Sequence, residues 1–416
     1  MLKPLIFMKK QIVIILKEFP RVSETFIYQE LGMLYKCGYH PIIFSLRVPR
    51  WEPTFNKLDS NPDIDIRYIP PFDSNSREEM RFLIRKLKKK YREELINQLA
   101  SDSVQELVAG RGKEKFVTCH AAFRILENLD IVNPKDYHIH SQFLDQPAEI
   151  AYLIHKIAGV DYSISSHARD IYTTAIEDIK KVVGCSVGLK TCTQYNAKYL
   201  KTIVEESSKI RTVYHGVDCD FYCKGQEAEP IKLLSVGDFV QKNGYPYIFK
   251  ALSKLCASYS NFIYTIIGHG KLEEECGNLI QSYHLEDKVV FIPHVSKSME
   301  RYYLKNSDIF ISASIVVDYQ DADDIPEGIA EAMSIGIPVI ATDIPAISEI
   351  VIHKRTGCIA TQKDAMSLFD CLMFYIKNPR KRKTLASNGM VHVNKHFQSN
   401  IMIEDCLTFY SEVLNK

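Results

Sequence analysis

No stretch of this 416-residue chain approaches the roughly 18 consecutive apolar residues that a membrane-spanning helix requires, so none is expected. Nor does the chain lean to one sign of charge. With 52 basic against 51 acidic side chains, the global balance gives no footprint for nucleic-acid binding. The 11 cysteines lack paired metal-ligand spacing, and the nearest pair, Cys219 and Cys223, has no second pair beside it. An odd count without a framework points to reduced thiols and a cytoplasmic setting. Met8-Lys9-Lys10 followed by Ile12-Val13-Ile14-Ile15-Leu16 has the outline of a signal peptide, but Lys17 and Glu18 end the apolar run too early. The run reads instead as a first buried strand, with Met8 a candidate natural start.

What is present is repeated strand–helix alternation over a length that exceeds one core, which predicts two α/β domains built on doubly wound parallel sheets. In the first half Ile12–Leu16, Pro41–Phe44, Tyr137–Ser141 and Tyr162–Ser165 read as strands, and a helix is expected from about Glu24 to Cys37, stopped by Gly38. A basic insertion spans 75–115. Its apolar residues Phe82, Leu83, Leu87, Tyr91 and Leu95 fall near helical spacing, crowded by Arg85, Lys86, Lys88, Lys89 and Lys90. Two readings stand for it: a solvated helix covering the sheet, or a basic surface that meets anionic lipid or an anionic acceptor. The punctuated stretch Cys223–Pro230 reads as an interdomain linker. Strands are expected after it at Lys232–Val236, Phe262–Ile267, Val289–Ile292, Ile309–Ala313 and Pro338–Ala341.

Residues 323–342, DDIPEGIAEAMSIGIPVIAT, place acidic groups in a loop that runs into a short helix and then into a buried strand. Glu331-Ala332-Met333 sits on good helix formers with Gly336 as the stop, and Pro338-Val339-Ile340-Ala341 suits an interior parallel strand. The amino end of such a helix offers unpaired N–H groups and partial positive charge, which suits a diphosphate. A carboxylate one turn inside can reach ribose hydroxyls. Asp318, Asp321, Asp323 and Asp324 lack the ligand spacing of a calcium loop, so no metal is expected.

Several motifs, taken in order, carry a family resemblance over nearly the whole chain. Phe19-Pro20-Arg21-Val22-Ser23-Glu24-Thr25-Phe26-Ile27 with Glu30, His138-Ile139-His140-Ser141-Gln142-Phe143, and Ser166-His167-Ala168-Arg169-Asp170-Ile171-Tyr172 resemble the amino-terminal landmarks of bacterial exopolysaccharide and colanic-acid-type glycosyltransferases. Tyr214-His215-Gly216-Val217-Asp218, Ser235-Val236-Gly237, Gly268-His269-Gly270 and the Glu331-Ala332-Met333 helix resemble the retaining glycosyltransferase family 4. The resemblance implies a GT-B fold, two Rossmann-like domains facing across a cleft. It divides the chain into an acceptor-side domain over 1–218, a nucleotide-sugar domain over 219–395, and a last helix over 396–416 that crosses back to the first.

The resemblance also implies roles. Glu331 matches the second glutamate of the family's Glu-x7-Glu motif, which binds the nucleotide ribose. The first falls on Asp323, beside the donor sugar, followed by Asp324, Ile325, Pro326 and Glu327 at the helix entrance. His167 matches a histidine lining the donor-sugar side, which makes Asp323 and His167 the expected catalytic residues. Gly237, Gly268, His269, Lys242 and Lys271 are expected around the nucleotide, and Ser23, Glu24, Thr25, Arg169 and Asp170 on the acceptor side. One departure stands out. Where the family's phosphate clamp reads Gly-Arg-Leu-Val-x-Lys-Lys-Gly, this chain reads Gly237-Asp238-Phe239-Val240-Gln241-Lys242-Asn243-Gly244. The arginine position is acidic and the second lysine is an amide, so Lys242, Lys271 and His269 become the local candidates for relocated positive charge. The implied activity is transfer of a sugar from a UDP- or GDP-linked donor to a saccharide or lipid-linked saccharide, with retention at the anomeric carbon, in cell-surface polysaccharide biosynthesis. No cofactor beyond that donor and no nucleic acid is expected, and peripheral contact with the inner face of the membrane is a further expectation. The alternative is a catalytically impaired GT-B subunit that binds a glycan or partners an active transferase. An epimerase or phosphorylase of the same architecture ranks last.

Overall fold

The computed structural model describes residues 10–21, 24–49, 64–73, 75–108, 113–218, 229–317 and 325–416. Ser23, Asp323, Asp324 and residues 223–228 of the expected linker lie outside the described residues. The chain divides into two compact units, the first holding the described residues of 1–192, 196–213 and 403–416, the second those of 193–195 and 214–402. Among the described residues no helix is long and apolar enough to cross a membrane.

Unit 1 is built on β1 (Gln11–Leu16), β2 (Ile42–Ser45), β3 (Asp65–Tyr68), β4 (Tyr137–Gln142), β5 (Tyr162–Ser166), β6 (Gly188–Thr191) and β7 (Ile210–Thr212). The order β3-β2-β1-β4-β5-β6-β7 is parallel throughout, with Val13 of β1 registered against Ile42 and Ile139. Helices cover both faces, which is why Ile12–Leu16 reads as one unbroken apolar run and is buried over its whole length. The helix expected from Glu24 runs over Thr25–Lys36, and Gly38, at φ +81°, carries the chain out of it.

Unit 2 is built on β8 (Ile231–Val236), β9 (Phe262–Ile267), β10 (Val289–Ile292), β11 (Ile309–Ser312), β12 (Val339–Thr342) and β13 (Cys358–Ala360). These strands are also all parallel, in the order β10-β9-β8-β11-β12-β13. Both sheets are thus doubly wound, as expected. Their strand order reverses beside β1 and β4 in unit 1 and beside β8 and β11 in unit 2, where such sheets open a crevice at the carboxyl ends of the strands.

Two expectations need correction. The 75–115 insertion is not one helix but two, Ser76–Leu87 and Glu93–Val108, followed by the start of Glu114–Leu129. The lysine run separates them, with Lys88 turned to Glu93 at 3.3 Å and Lys90 to Asp130 at 2.5 Å. Met80, Leu83 and Leu87 form the inward ridge, and Phe82, out of step with that three-to-four spacing, is 54% exposed. The change of unit also falls between Val213 and Tyr214, ahead of the expected 218. Val217 bonds in both directions to the segment before the last helix, its N–H to Phe397 O at 2.9 Å and its O to Ser399 N–H at 3.1 Å, and its side chain joins the unit 2 core. The last helix, Ser399–Leu414, therefore begins with unit 2, while Ile403–Lys416 is counted with unit 1.

Under that helix unit 1 holds a buried polar centre. Glu30, 2% exposed, accepts hydrogen bonds from Lys190 Nζ at 3.1 Å, Gln142 Nε2 at 2.7 Å and Tyr410 Oη at 2.7 Å. His140 lies 3.7 Å from it and is held by the hydroxyls of Ser163 and Ser165, each at 2.8 Å. Burial pushes the Glu30 carboxyl up, but the charges of Lys190 and His140 and the bonds from Tyr410 and Gln142 outweigh it and hold the group down at about 2. Gly188 lets the last helix approach, since a Cβ there would lie 2.6 Å from Val413 Cγ1.

Candidate functional site

In unit 2 the turns leaving β8 and β9 are fastened to each other by backbone. Phe239 N–H donates to His269 O at 3.1 Å, Leu272 N–H to Phe239 O at 3.0 Å, and Gly237 N–H to Ile267 O at 2.9 Å. Glycine is required at this seam, because a Cβ on Gly268 would sit 2.1 Å from Gly237 O. Gly244, at φ +62°, brings the next helix, Tyr245–Ser258, against the end of β11, where a Cβ would meet Ala313 O at 2.0 Å. Lys242 O accepts from Ile315 N–H at 2.8 Å, so the Gly237–Gly244 turn is pinned to both neighbours of β8 at the reversal of strand order. Asn243 contributes to that shape rather than to charge, its Nδ2 donating to Asp238 O at 2.7 Å.

The helix Glu327–Ser334 follows β11, and Glu331 lies one turn inside it. Lys297, at the first position of the helix Lys297–Lys305, reaches Glu331 Oε1 at 2.8 Å, Glu300 at 3.2 Å and Glu327 at 3.9 Å. Glu331 Oε2 is buried with no hydrogen-bond donor among the described residues. Burial raises the Glu331 carboxyl above its ordinary value, Glu300 adds to this, and Lys297 draws it back. A buried carboxylate oxygen without a donor is costly, and it is the kind of atom a ligand hydroxyl satisfies.

Unit 1 gathers its candidates at the carboxyl ends of β1, β4 and β5. His167 leads the helix Ala168–Thr173, its ring against Phe26 at 4.6 Å and Phe143 at 5.2 Å between centroids. Phe143, directly after β4, is held at φ +94°, a conformation that costs a non-glycine residue about 1–3 kcal/mol. Lys17 pairs with Asp145 and stands over the Phe143 ring at 5.8 Å. Glu24, leading the helix Thr25–Lys36, is bonded to Arg21 at 3.3 Å through one oxygen, while the other is buried with no donor among the described residues. Burial, only partly offset by Arg21, raises its carboxyl.

The predicted residues thus divide. Gly237, Lys242, Gly268 and His269 are brought together at the turns, and Ile325, Pro326, Glu327 and Glu331 share the next helix and its entrance. Lys271 is exposed at the β9 turn. His269 Nδ1 is engaged by Glu273 Oε2 at 2.8 Å. Asp170 is buried and committed to backbone, accepting from His167 N–H at 2.8 Å and from Leu144 N–H, so it shapes the loops rather than offering a free carboxylate. Arg169 is exposed beside it, and Thr25 is half-buried. Sequence reasoning missed Lys297 and His294, the latter 3.0 Å from Asp238 Oδ1. Their signal was the loop Pro293-His294-Val295-Ser296-Lys297 directly after a predicted strand, the position from which such sheets supply ligand contacts. Phe143 and Asp145 sat in the same kind of position after β4.

Comparison with known proteins places this architecture. Residues 224–391, which lie within unit 2, match the family described as Glycosyl transferases group 1. The amylovoran biosynthesis glycosyltransferase AmsK of Erwinia amylovora is 31% identical over 170 residues, 40% of this chain and 42% of that protein. The putative colanic acid biosynthesis glycosyltransferase WcaL of Salmonella typhimurium is 29% identical over 224 residues, 53% of this chain and 55% of that protein. The chain spans about half the length of the curated relatives it matches. Among solved structures, a glycosyltransferase from Rickettsia africae superposes with a TM-score of 0.68 at 17% identity, covering 98% of this chain and 99% of that one. HepE of Anabaena in complex with UDP does so at 0.71 and 13% identity, covering 96% and 98%. At these identities the likeness establishes the fold, GT-B.

Proposed function

We propose that this protein is a glycosyltransferase that moves a sugar from a nucleotide diphosphate donor, UDP- or GDP-linked, to a saccharide or lipid-linked saccharide in cell-surface polysaccharide biosynthesis, with retention at the anomeric carbon. The observation that carries this reading is Glu331, whose buried Oε2 awaits a donor one turn inside the helix that follows β11. The named activities of AmsK and WcaL support the polysaccharide setting, and the UDP bound by HepE supports the nucleotide. In this reading Glu331 accepts ribose hydroxyls, and the Gly237 and Gly268 turns admit the diphosphate close to backbone. Asp323 and His167 serve catalysis, and the acceptor hydroxyl attacks from the face the nucleotide leaves. Glu24, with its open buried oxygen, is the acceptor-side group best suited to hold a sugar hydroxyl. No metal ion takes part.

Negative charge grows on the leaving diphosphate, so a cation near it acts on the transition state more than on the ground state. Wild-type protein offered a panel of nucleotide sugars is expected to release free nucleotide with one of them in the presence of acceptor. Lys242→Ala should then lower turnover about tenfold while changing donor affinity less. Equal losses in both would remove Lys242 from the transition state. One observation favours the second reading, an impaired subunit: Asp238 stands where positive charge belongs and is itself matched by His294. That reading expects no turnover across the panel, and a gain in nucleotide affinity from Asp238→Arg with Asn243→Lys.

A further inference from the structure

The helix Ser76–Leu87 carries two populations of cations. Those on its flanks and in the turn after it are tied down: Lys86 to Glu127 at 2.5 Å, Lys88 to Glu93 at 3.3 Å, and Lys90 to Asp130 at 2.5 Å. Its acidic Glu79 is likewise turned inward, to Arg124 and to His120. The outer row is different. Arg77, Arg81 and Arg85 recur every fourth residue, all exposed, and none makes an ion pair among the described residues. At 1.5 Å per residue they form a ridge about 12 Å long, which exposed Lys89 extends beyond the helix end. Phe82 stands three residues before Arg85 on the same side, 54% exposed, while Met80, Leu83 and Leu87 hold the opposite face in the unit 1 core. Glu78 is the exposed acidic group on this helix, and it lies at the amino-terminal end of the row.

Among the described residues nothing in the packing of unit 1 uses this row, and the exposed phenyl ring beside it has a cost in water. We infer that the Arg77–Arg81–Arg85 ridge with Phe82 is a docking surface for a membrane rich in anionic phospholipid. The chemistry fits an interfacial helix: guanidinium groups pair with headgroup phosphates, and the ring between them enters the acyl boundary. A single-stranded nucleic acid is less suited, since it is held in a groove that tracks its backbone, whereas this is one convex ridge. The inference stands apart from the proposed enzymatic activity.

The test uses the whole 416-residue chain and co-sedimentation with vesicles of phosphatidylcholine, alone or doped with phosphatidylglycerol. Wild-type protein is expected to bind the doped vesicles at low salt and to lose most of that binding at high salt, because the attraction is screened. Each arginine exchanged for glutamine should weaken binding about fivefold, so that the triple variant Arg77→Gln, Arg81→Gln, Arg85→Gln loses about a hundredfold. All three side chains are exposed, so the melting temperature should not move, and Arg81→Gln alone supplies the fivefold step should the triple variant fold poorly. Phe82→Ala should abolish the binding that survives high salt. Equal binding to neutral and doped vesicles would overturn the inference, as would a triple variant that binds like wild type, or wild-type protein that binds a single-stranded RNA oligonucleotide but not the doped vesicles.

Discussion

Replacing Lys190 by methionine is expected to destabilise unit 1 by about 3–5 kcal/mol, because it strands the Glu30 carboxylate in the core without its cation. Glu30→Gln should cost a similar amount by stranding Lys190. The pair together contributes far less than either loss suggests, since two charges were desolvated to form it. The double variant Glu30→Gln, Lys190→Met should therefore recover much of the stability, and the interaction term belongs to a double-mutant cycle. Because the chain holds two units, the measurement is amide hydrogen exchange over β4, which lies beside the pair. A loss under about 1 kcal/mol for Lys190→Met would mean that the pair is water-exposed.

The same centre sets a pH dependence. The Glu30 carboxyl is held down at about 2 against an ordinary 4.5, and burial with the Lys190 charge lowers His140 to about 3 against 6.5. In both cases the unfolded chain takes up a proton that the folded one refuses. Stability therefore falls with pH, through His140 between about 6.5 and 3, and through Glu30 between about 4.5 and 2. Protection factors in β4, with each observed exchange rate divided by the amide's intrinsic rate at that pH, that stay flat on acidification from pH 7 to pH 4 would contradict this.

The second large effect is expected at Glu331. Substitution by alanine should weaken nucleotide binding by about 2 kcal/mol, roughly thirtyfold, the scale of hydrogen bonds to a charged group. Unit 2 should stay folded, because Lys297 keeps Glu300 and Glu327 as partners. Glu331→Gln preserves shape and removes charge, so its loss should be smaller. Since burial raises the Glu331 carboxyl, wild-type affinity should begin to fall at a pH above the usual carboxylate range, as protonation takes away acceptor capacity, and Glu331→Gln should lack that limb. Calorimetry with UDP and GDP at two pH values reads all of this. An affinity unchanged by Glu331→Ala would take the residue out of the nucleotide site.

Features that depend on neighbours along the chain were legible without the fold. Phe262–Ile267 and Val289–Ile292 are strands with the limits their apolar runs predict, and Glu331 falls on a helix because helix formers surround it and Gly336 stops it. Parallel, two-sided burial followed from unbroken runs such as Ile12–Leu16. The short strands β3, β6, β7 and β13 had no such signal: DIRY, GLKT, IRT and CIA are too brief or too polar for a period to register, and pairing with an existing sheet makes them strands. The tertiary structure alone decided which charges meet. Glu30, Lys190 and Tyr410 come from distant parts of the chain, and what makes one carboxylate the centre of a buried network is the helix laid over it. Asp238 found His294, and Glu331 found Lys297, because the crossovers bring the turns at the ends of β8, β10 and β11 to one edge of one sheet. Periodicity is written in near neighbours, whereas a pKa, an open buried oxygen or an unpaired arginine row is a property of the whole surrounding field.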